Sequence, residues 1–253
     1  ITELSKIRTI KVFPRPTILP FRDKPVTPQQ VGRELSAAYV LGGSLRRAGN
    51  RLRINTQLMD AKTDFPVWSE RYDREMADVF EVQDEIARRI AEAMRVQLSP
   101  QEQEELAARP TDNLQAYDLY LRGKSYARRL TRQDLEFALQ MFENAVSLDP
   151  RFALAHAAIA NSCALYNQHF DRAPLWIDRA KAASRKASGL GSDSPDIQVA
   201  EAWILYAEGS FDEAIGRVRR AIERKPDVEG GYYLLGRALF AAGQYQKVVD
   251  LAE

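Results

Sequence analysis

A chain of 253 residues, 45% of them apolar, can bury one large core or two ordinary ones. Its 36 basic and 35 acidic residues leave a formal charge of +1, so no global field draws it to nucleic acid or an anionic membrane. The single cysteine, Cys163, excludes an internal disulfide, and no apolar run approaches the roughly 20 residues that span a bilayer.

Ile1 to Ile7 reads as the last turns of a helix whose start is missing, and Arg8 to Phe13 as a short strand. Pro14, Pro16 and Pro20 then break regular structure. Thr27-Pro28-Gln29-Gln30 opens a helix, with a capping Thr and Pro at the first helical position; the helix is expected to run to about Ser36. Tyr39 to Arg47 and Arg51 to Asp60 form the clearest β signal, joined by Gly49-Asn50, which can supply the positive φ of a two-residue hairpin turn. Leu52, Ile54, Thr56 and Leu58 share one face; Arg51, Arg53, Asn55 and Gln57 share the other. A third strand is expected at about Pro66 to Tyr72, giving an antiparallel meander with one face covered by helices. Val79, Val82, Ile86, Ile90 and Met94 stripe a helix expected to reach about Leu98. Residues 101 to 109 are charged and read as a solvated linker helix.

From Leu114 the apolar period is helical throughout. Gly209-Ser210-Phe211 and Gly243-Gln244-Tyr245 lie 34 residues apart and hold the same place in two helix-turn-helix patterns. Gly123, Ala138, Ala145, Ala214 and Ala221 are small enough to let paired helices approach closely, while Gly209 and Gly243 suit the turns. Together with the closing Pro150 and Pro226, this pattern resembles the tetratricopeptide repeat. The first unit departs from it by about three extra residues near 130–133. The second departs by about eight near 167–174 and lacks a closing Pro.

The stretch Val31-Gly32-Arg33-Glu34-Leu35, then Tyr39-Val40-Leu41-Gly42-Gly43-Ser44, Gly49-Asn50-Arg51-Leu52-Arg53-Ile54, Gln57-Leu58-Met59-Asp60 and Trp68-Ser69-Glu70-Arg71-Tyr72-Asp73 resembles a TolB N-terminal-like domain. That resemblance implies an accessory role beside repeats in bacterial signalling proteins such as adenylate cyclases, response regulators or Ser/Thr kinases. It carries no catalytic residues over. The expected architecture is an α+β domain at residues 1–98, a linker at 99–112 and a right-handed all-α array at 113–253. Its units are 113–152, 153–194, 195–228 and an incomplete 229–253. With no initiator Met and no secretory leader, the chain is expected to be cut from a longer protein; a cytoplasmic location is expected, with the periplasm as the alternative.

His156 and His169 have no Cys, Asp or Glu at metal-ligand spacing, and no nucleotide loop or Ser-His-Asp order is present. The expectation is therefore that the chain is not an enzyme and needs no cofactor or metal. Cys163 and His156 read as packing residues. Arg46, Arg47, Arg51 and Arg53 cluster at the hairpin tip, with Arg46 opposite Arg53. They form a candidate anion patch unless Glu70 or Asp73 pairs them. By helical phase the inner face of the repeats includes Tyr117, Tyr120, Lys124, Asn161, Trp203, Tyr206, Tyr233, Arg237 and Phe240. Aromatic area with Lys, Arg and Asn suits a protein or peptide partner; nucleic acid is not expected. Several of the aromatics, Trp203 first, equally suit packing between repeats. A small-anion sensor and a self-associating scaffold, through the sheet edge or the last repeat, are the alternatives.

Overall fold

The computed structural model describes residues 4–7, 9–13, 15–22, 24–107, 109–190, 194–226 and 228–252. By contact the chain divides into two compact units, Ile1–Arg109 and Pro110–Glu253.

The first unit is α+β. Helix α2 (Pro28–Leu35) starts at Thr27, whose side chain accepts from the Gln30 N–H while Gln30 reaches back to the Thr27 N–H, and it ends at Ser36 with φ 53°. Strands β1 (Tyr39–Ala48), β2 (Arg51–Asp60) and β3 (Pro66–Glu75) follow, antiparallel and in chain order. Leu52 and Leu58 are buried while Arg51, Arg53, Asn55 and Gln57 are exposed, as the period of two requires. Gly49 takes the positive φ of the hairpin turn. Gly32 lets α2 seat against the end of β2: a Cβ there would stand 2.3 Å from Ala61 Cβ.

Helix α3 (Val79–Ala93), entered through the turn Met76–Asp78, packs Ala87, Ile90 and Ala91 on a core with Ile7, Leu58 and Leu106. It stops short of the expected Leu98. Arg95 takes a left-handed φ of 56° and the Val96 N–H bonds back to Ala91, so Val96 and Leu98 return to the same core.

The N-terminal stretch departs further from the pattern. Leu4–Lys6 is a single 3-10 turn, and residues 1–3 and Arg8 lie outside the described residues. No strand forms within residues 9–13; Ile10 and Val12 pack on the core without a ladder partner. The proline segment is short helical turns, α1 (Arg15–Ile18) and Leu19–Phe21; in the second, Pro stands in the first turn, where its missing N–H costs nothing.

The charged run is helix α4 (Pro100–Ala107), and it is not simply solvated. Ser99 and Glu102 form a reciprocal cap, with the Glu102 carboxylate accepting from the Ser99 N–H at 2.8 Å, and Leu106 is buried in the first unit's core.

The second unit is all helix: α5 (Leu114–Ala127), α6 (Arg132–Leu148), α7 (Ala153–His169), α8 (Pro174–Gly189), α9 (Pro195–Ala207), α10 (Phe211–Arg224), α11 (Gly231–Ala241) and α12 (Tyr245–Ala252). Each packs on the next, as hairpins stacked in series. Helices α5, α7, α9 and α11 also touch in succession, most closely α7 and α9, whereas their hairpin partners approach one another less, which makes the first helices the inner layer. Ala138, Ala145, Ala214 and Ala221 are fully buried where helices meet, and a Cβ on Gly123 would stand 2.5 Å from the Phe142 ring. The period of 34 has a physical basis in the turns. Gly209 and Gly243 have φ of 84° and 74°, and the bonds Ser210 N–H to Leu205 and Gln244 N–H to Leu239 are equivalent. The extra residues of the second unit lengthen α7 and build a pinned connection. There Asn167 donates to the carbonyls of Asp171 and Ala173, and Trp176 donates to Asp171.

Candidate functional site: an aromatic trough on the inner helices

Helices α9, α11 and α12 frame an open depression of about 700 Å³ lined by Tyr206, Tyr232, Tyr233, Gly236, Arg237, Phe240, Val248 and Leu251. Tyr206 lies on α9; Tyr233, Arg237 and Phe240 follow at helical spacing on α11, which brings them to one side. Arg237 donates from Nη1 to the Tyr233 hydroxyl at 3.1 Å and from Nη2 to the Tyr206 hydroxyl at 3.3 Å. Its guanidinium also sits 5.5 Å and 5.7 Å from the centres of the same two rings. His169, from the end of α7, places Nε2 3.3 Å from the Tyr233 hydroxyl. Burial, with Arg237 and Arg172 nearby, lowers the His169 pKa, so the imidazole is neutral at ordinary pH. Burial alone would lower the Arg237 pKa as well, but its bonds to the two tyrosines outweigh that and raise it, so the charge is permanent.

Three expected groove residues hold buried polar atoms without a hydrogen-bond partner among the described residues: Asn161 Oδ1, Trp203 Nε1 and Arg237 Nε. Arg237 is one of the residues lining the depression; Phe240, 64% exposed, and Tyr233, 44% exposed, form its open wall.

The other expected residues divide. Tyr120 is buried against Phe142 and Phe152, with Tyr117 half-buried beside it, so Tyr120 is a core residue rather than a contact surface. Trp203 is fully buried between Tyr206 and Tyr233 and supports the trough from behind. Lys124 is taken by the chain's own carboxylates: its Nζ is 2.5 Å from Glu229 and 3.8 Å from Asp196. In the sequence His169 is weighed only as a metal ligand, and Glu229 and Asp196 are not singled out, because helical phase identifies faces of helices and not which helix ends and connections the stack brings together.

At the hairpin tip Arg46 does face Arg53, and Asp73 answers the repulsion by accepting from Arg53 at 2.9 Å and Arg71 at 3.0 Å. Arg53 is therefore engaged, and Arg47 donates to the Gly49 carbonyl. Arg46 and Arg51 are exposed positions of β1 and β2. His156 is buried with Nε2 3.0 Å from the Pro150 carbonyl oxygen, a packing role. Burial pushes the Cys163 thiol up to about 12. Among the described residues no group of His, Cys, Asp and Glu is arranged to hold a metal, and no helix is long and apolar enough to cross a membrane.

No protein-family model matches the chain. Over 216 residues, 85% of its length, the chain is 34% identical to the Rhizobium meliloti (strain 1021) protein named "Putative adenylate cyclase 3", of which that match spans 37%. The expectation that the chain is not an enzyme is overturned by this relative, whose name is that of an enzyme. The absence of catalytic motifs from one stretch of sequence was too narrow a basis for that expectation.

Proposed function

We propose that the chain is the partner-recognition region of an adenylate cyclase-type signalling protein, and that its tetratricopeptide-like array receives a segment of a partner protein in the trough. The signalling context rests on the 34% identity to the Rhizobium relative. The recognition role rests on one observation above all. The trough exposes an aromatic and apolar wall, and Arg237, one of its lining residues, has a buried Nε–H with no acceptor among the described residues.

Buried donors are normally satisfied, so an unmet one beside an open depression marks where an incoming acceptor sits. In the bound state an apolar side chain lies against Phe240, Val248 and Leu251, and a carbonyl or carboxylate of the same segment accepts from Arg237. Tyr206 and Tyr233 hold the guanidinium in place beforehand, which lowers the ordering cost of binding.

The test is a peptide-display selection against the whole chain, followed by affinity measurement on Arg237→Gln and Phe240→Ala. Loss of a buried, hydrogen-bonded charge or an aromatic anchor at the centre of an interface costs about 2 kcal/mol or more, roughly a 30-fold loss of affinity. Selected peptides that bind both variants as tightly as the parent would refute the trough. For the context, the full-length protein is expected to form cyclic AMP from ATP, and its failure to do so would refute the cyclase assignment alone.

A further inference from the structure

Five charged side chains on the inner layer join parts of the array that stacking alone keeps apart. Lys124, in the last turn of α5, and Arg128, which caps that helix, stand about one turn apart. Glu229, in the connection between α10 and α11, takes Arg128 Nε at 2.7 Å as well as Lys124. Asp196, in the first turn of α9, takes Lys124 and, at 3.2 Å, Lys225 from the end of α10. The bond from Arg128 to Glu229 spans 101 residues and skips two hairpins.

In a stacked array each hairpin ordinarily contacts only its neighbours. The bridge is therefore not required by the stack. Lys124, Asp196 and Lys225 are largely withdrawn from solvent, at 18%, 20% and 21% exposed; Glu229 is half-buried and Arg128, at 39%, stands at the exposed end. Withdrawn ion pairs add little net stability over apolar replacements, and their best-attested role is to select one arrangement among several. Here the arrangement they select is the distance between the first hairpin and the last two.

We propose that Lys124, Arg128, Asp196, Lys225 and Glu229 form a latch that holds the helical array closed on its inner side, and that releasing it lets the first hairpin swing away from α9 and α11. The three cations outnumber the two carboxylates, so the latch carries a net positive charge. The closed state has Glu229 and Asp196 where a carboxylate from outside would otherwise meet Lys124 and Arg128. The inner face of α5 becomes available only when the latch opens. The proposal does not depend on any ligand of the trough.

The experiment is a distance measurement between spin labels on Ser125→Cys and Val249→Cys, both exposed positions, with the buried Cys163 replaced by Ala. The parent is expected to give one narrow distribution. Asp196→Asn with Glu229→Gln is expected to add a longer-distance population, and Lys124→Arg to keep the parent distribution. If the double variant does not fold, Arg128→Gln, at the most exposed member of the latch, is the variant to use; it is expected to show the same lengthening in a smaller fraction. A folded variant lacking these bonds whose distribution matches the parent's would overturn the latch.

Discussion

Gly123→Ala sets two terms of opposite sign against each other on α5. Alanine is the better helix former, and in an open helix the change stabilises by about 0.5–1 kcal/mol. At position 123 the new Cβ would stand 2.5, 2.7 and 2.9 Å from three atoms of the Phe142 ring, well inside contact distance. That ring cannot swing aside, because Phe142 is fully buried and packed against Tyr120. Either α5 moves off α6 or Phe142 leaves its rotamer, and overpacking of this kind costs about 1–3 kcal/mol. The steric term wins, so the expected net loss is about 1–2 kcal/mol, a fall of roughly 0.5–1 M in the urea midpoint followed by far-ultraviolet circular dichroism. Gly216→Ala is the internal control. Gly216 lies within α10, and a Cβ there meets nothing within 4 Å, so the same substitution should raise the midpoint. Equal shifts at the two positions, or a Gly123→Ala protein as stable as its parent, would refute the close approach of α5 and α6.

The latch also makes an acid-side prediction. Burial alone would raise the carboxyls of Asp196 and Glu229. The cations outweigh it: Lys225 and Lys124 hold Asp196 down, and Lys124 and Arg128 hold Glu229 down. Folded values below the unfolded ones mean stability that is present above the ordinary carboxylate range and lost as pH falls through the folded values. Each extra proton taken up on unfolding costs about 1.4 kcal/mol per pH unit. The melting temperature of Asp196→Asn with Glu229→Gln should therefore fall less between neutral and acid pH than the parent's, and an equal fall would count against the pairing. Cys163 should stay unreacted with a chromogenic disulfide reagent in the native protein at mildly alkaline pH and react fully in urea, because its thiolate is disfavoured and its sulfur inaccessible. Prompt labelling of the folded chain would show that α7 opens locally.

What could be read from the sequence was what repeats or alternates. The burial of Leu52 and Leu58, the small residues at helix contacts and the turn glycines 34 residues apart each follow from a local rule, and the structure obeys it. The misreadings share a cause. Arg8 to Phe13 alternates like a strand, but alternation needs a neighbouring strand to become a ladder, and Ile10 and Val12 meet the core instead. Residues 101–109 look solvated because six of the nine are charged or amide side chains, yet one Leu and a reciprocal cap suffice to dock the helix. At the candidate site, helical phase placed Tyr206, Tyr233, Arg237 and Phe240 together, since all four follow from the register of two adjacent inner helices. It misjudged Lys124, whose partner is supplied by a connection 105 residues later. Phase states which way a side chain points; only the curvature of the whole stack decides what it meets. The same reasoning separates the trough from the latch: the trough needs only the two neighbouring hairpins of α9 to α12, whereas the latch exists only at the curvature that brings Glu229 under α5. A variant that opens the latch should therefore leave peptide affinity at the trough unchanged, and a coupled loss of both would mean that α5 helps to shape the wall formed by α9 and α11.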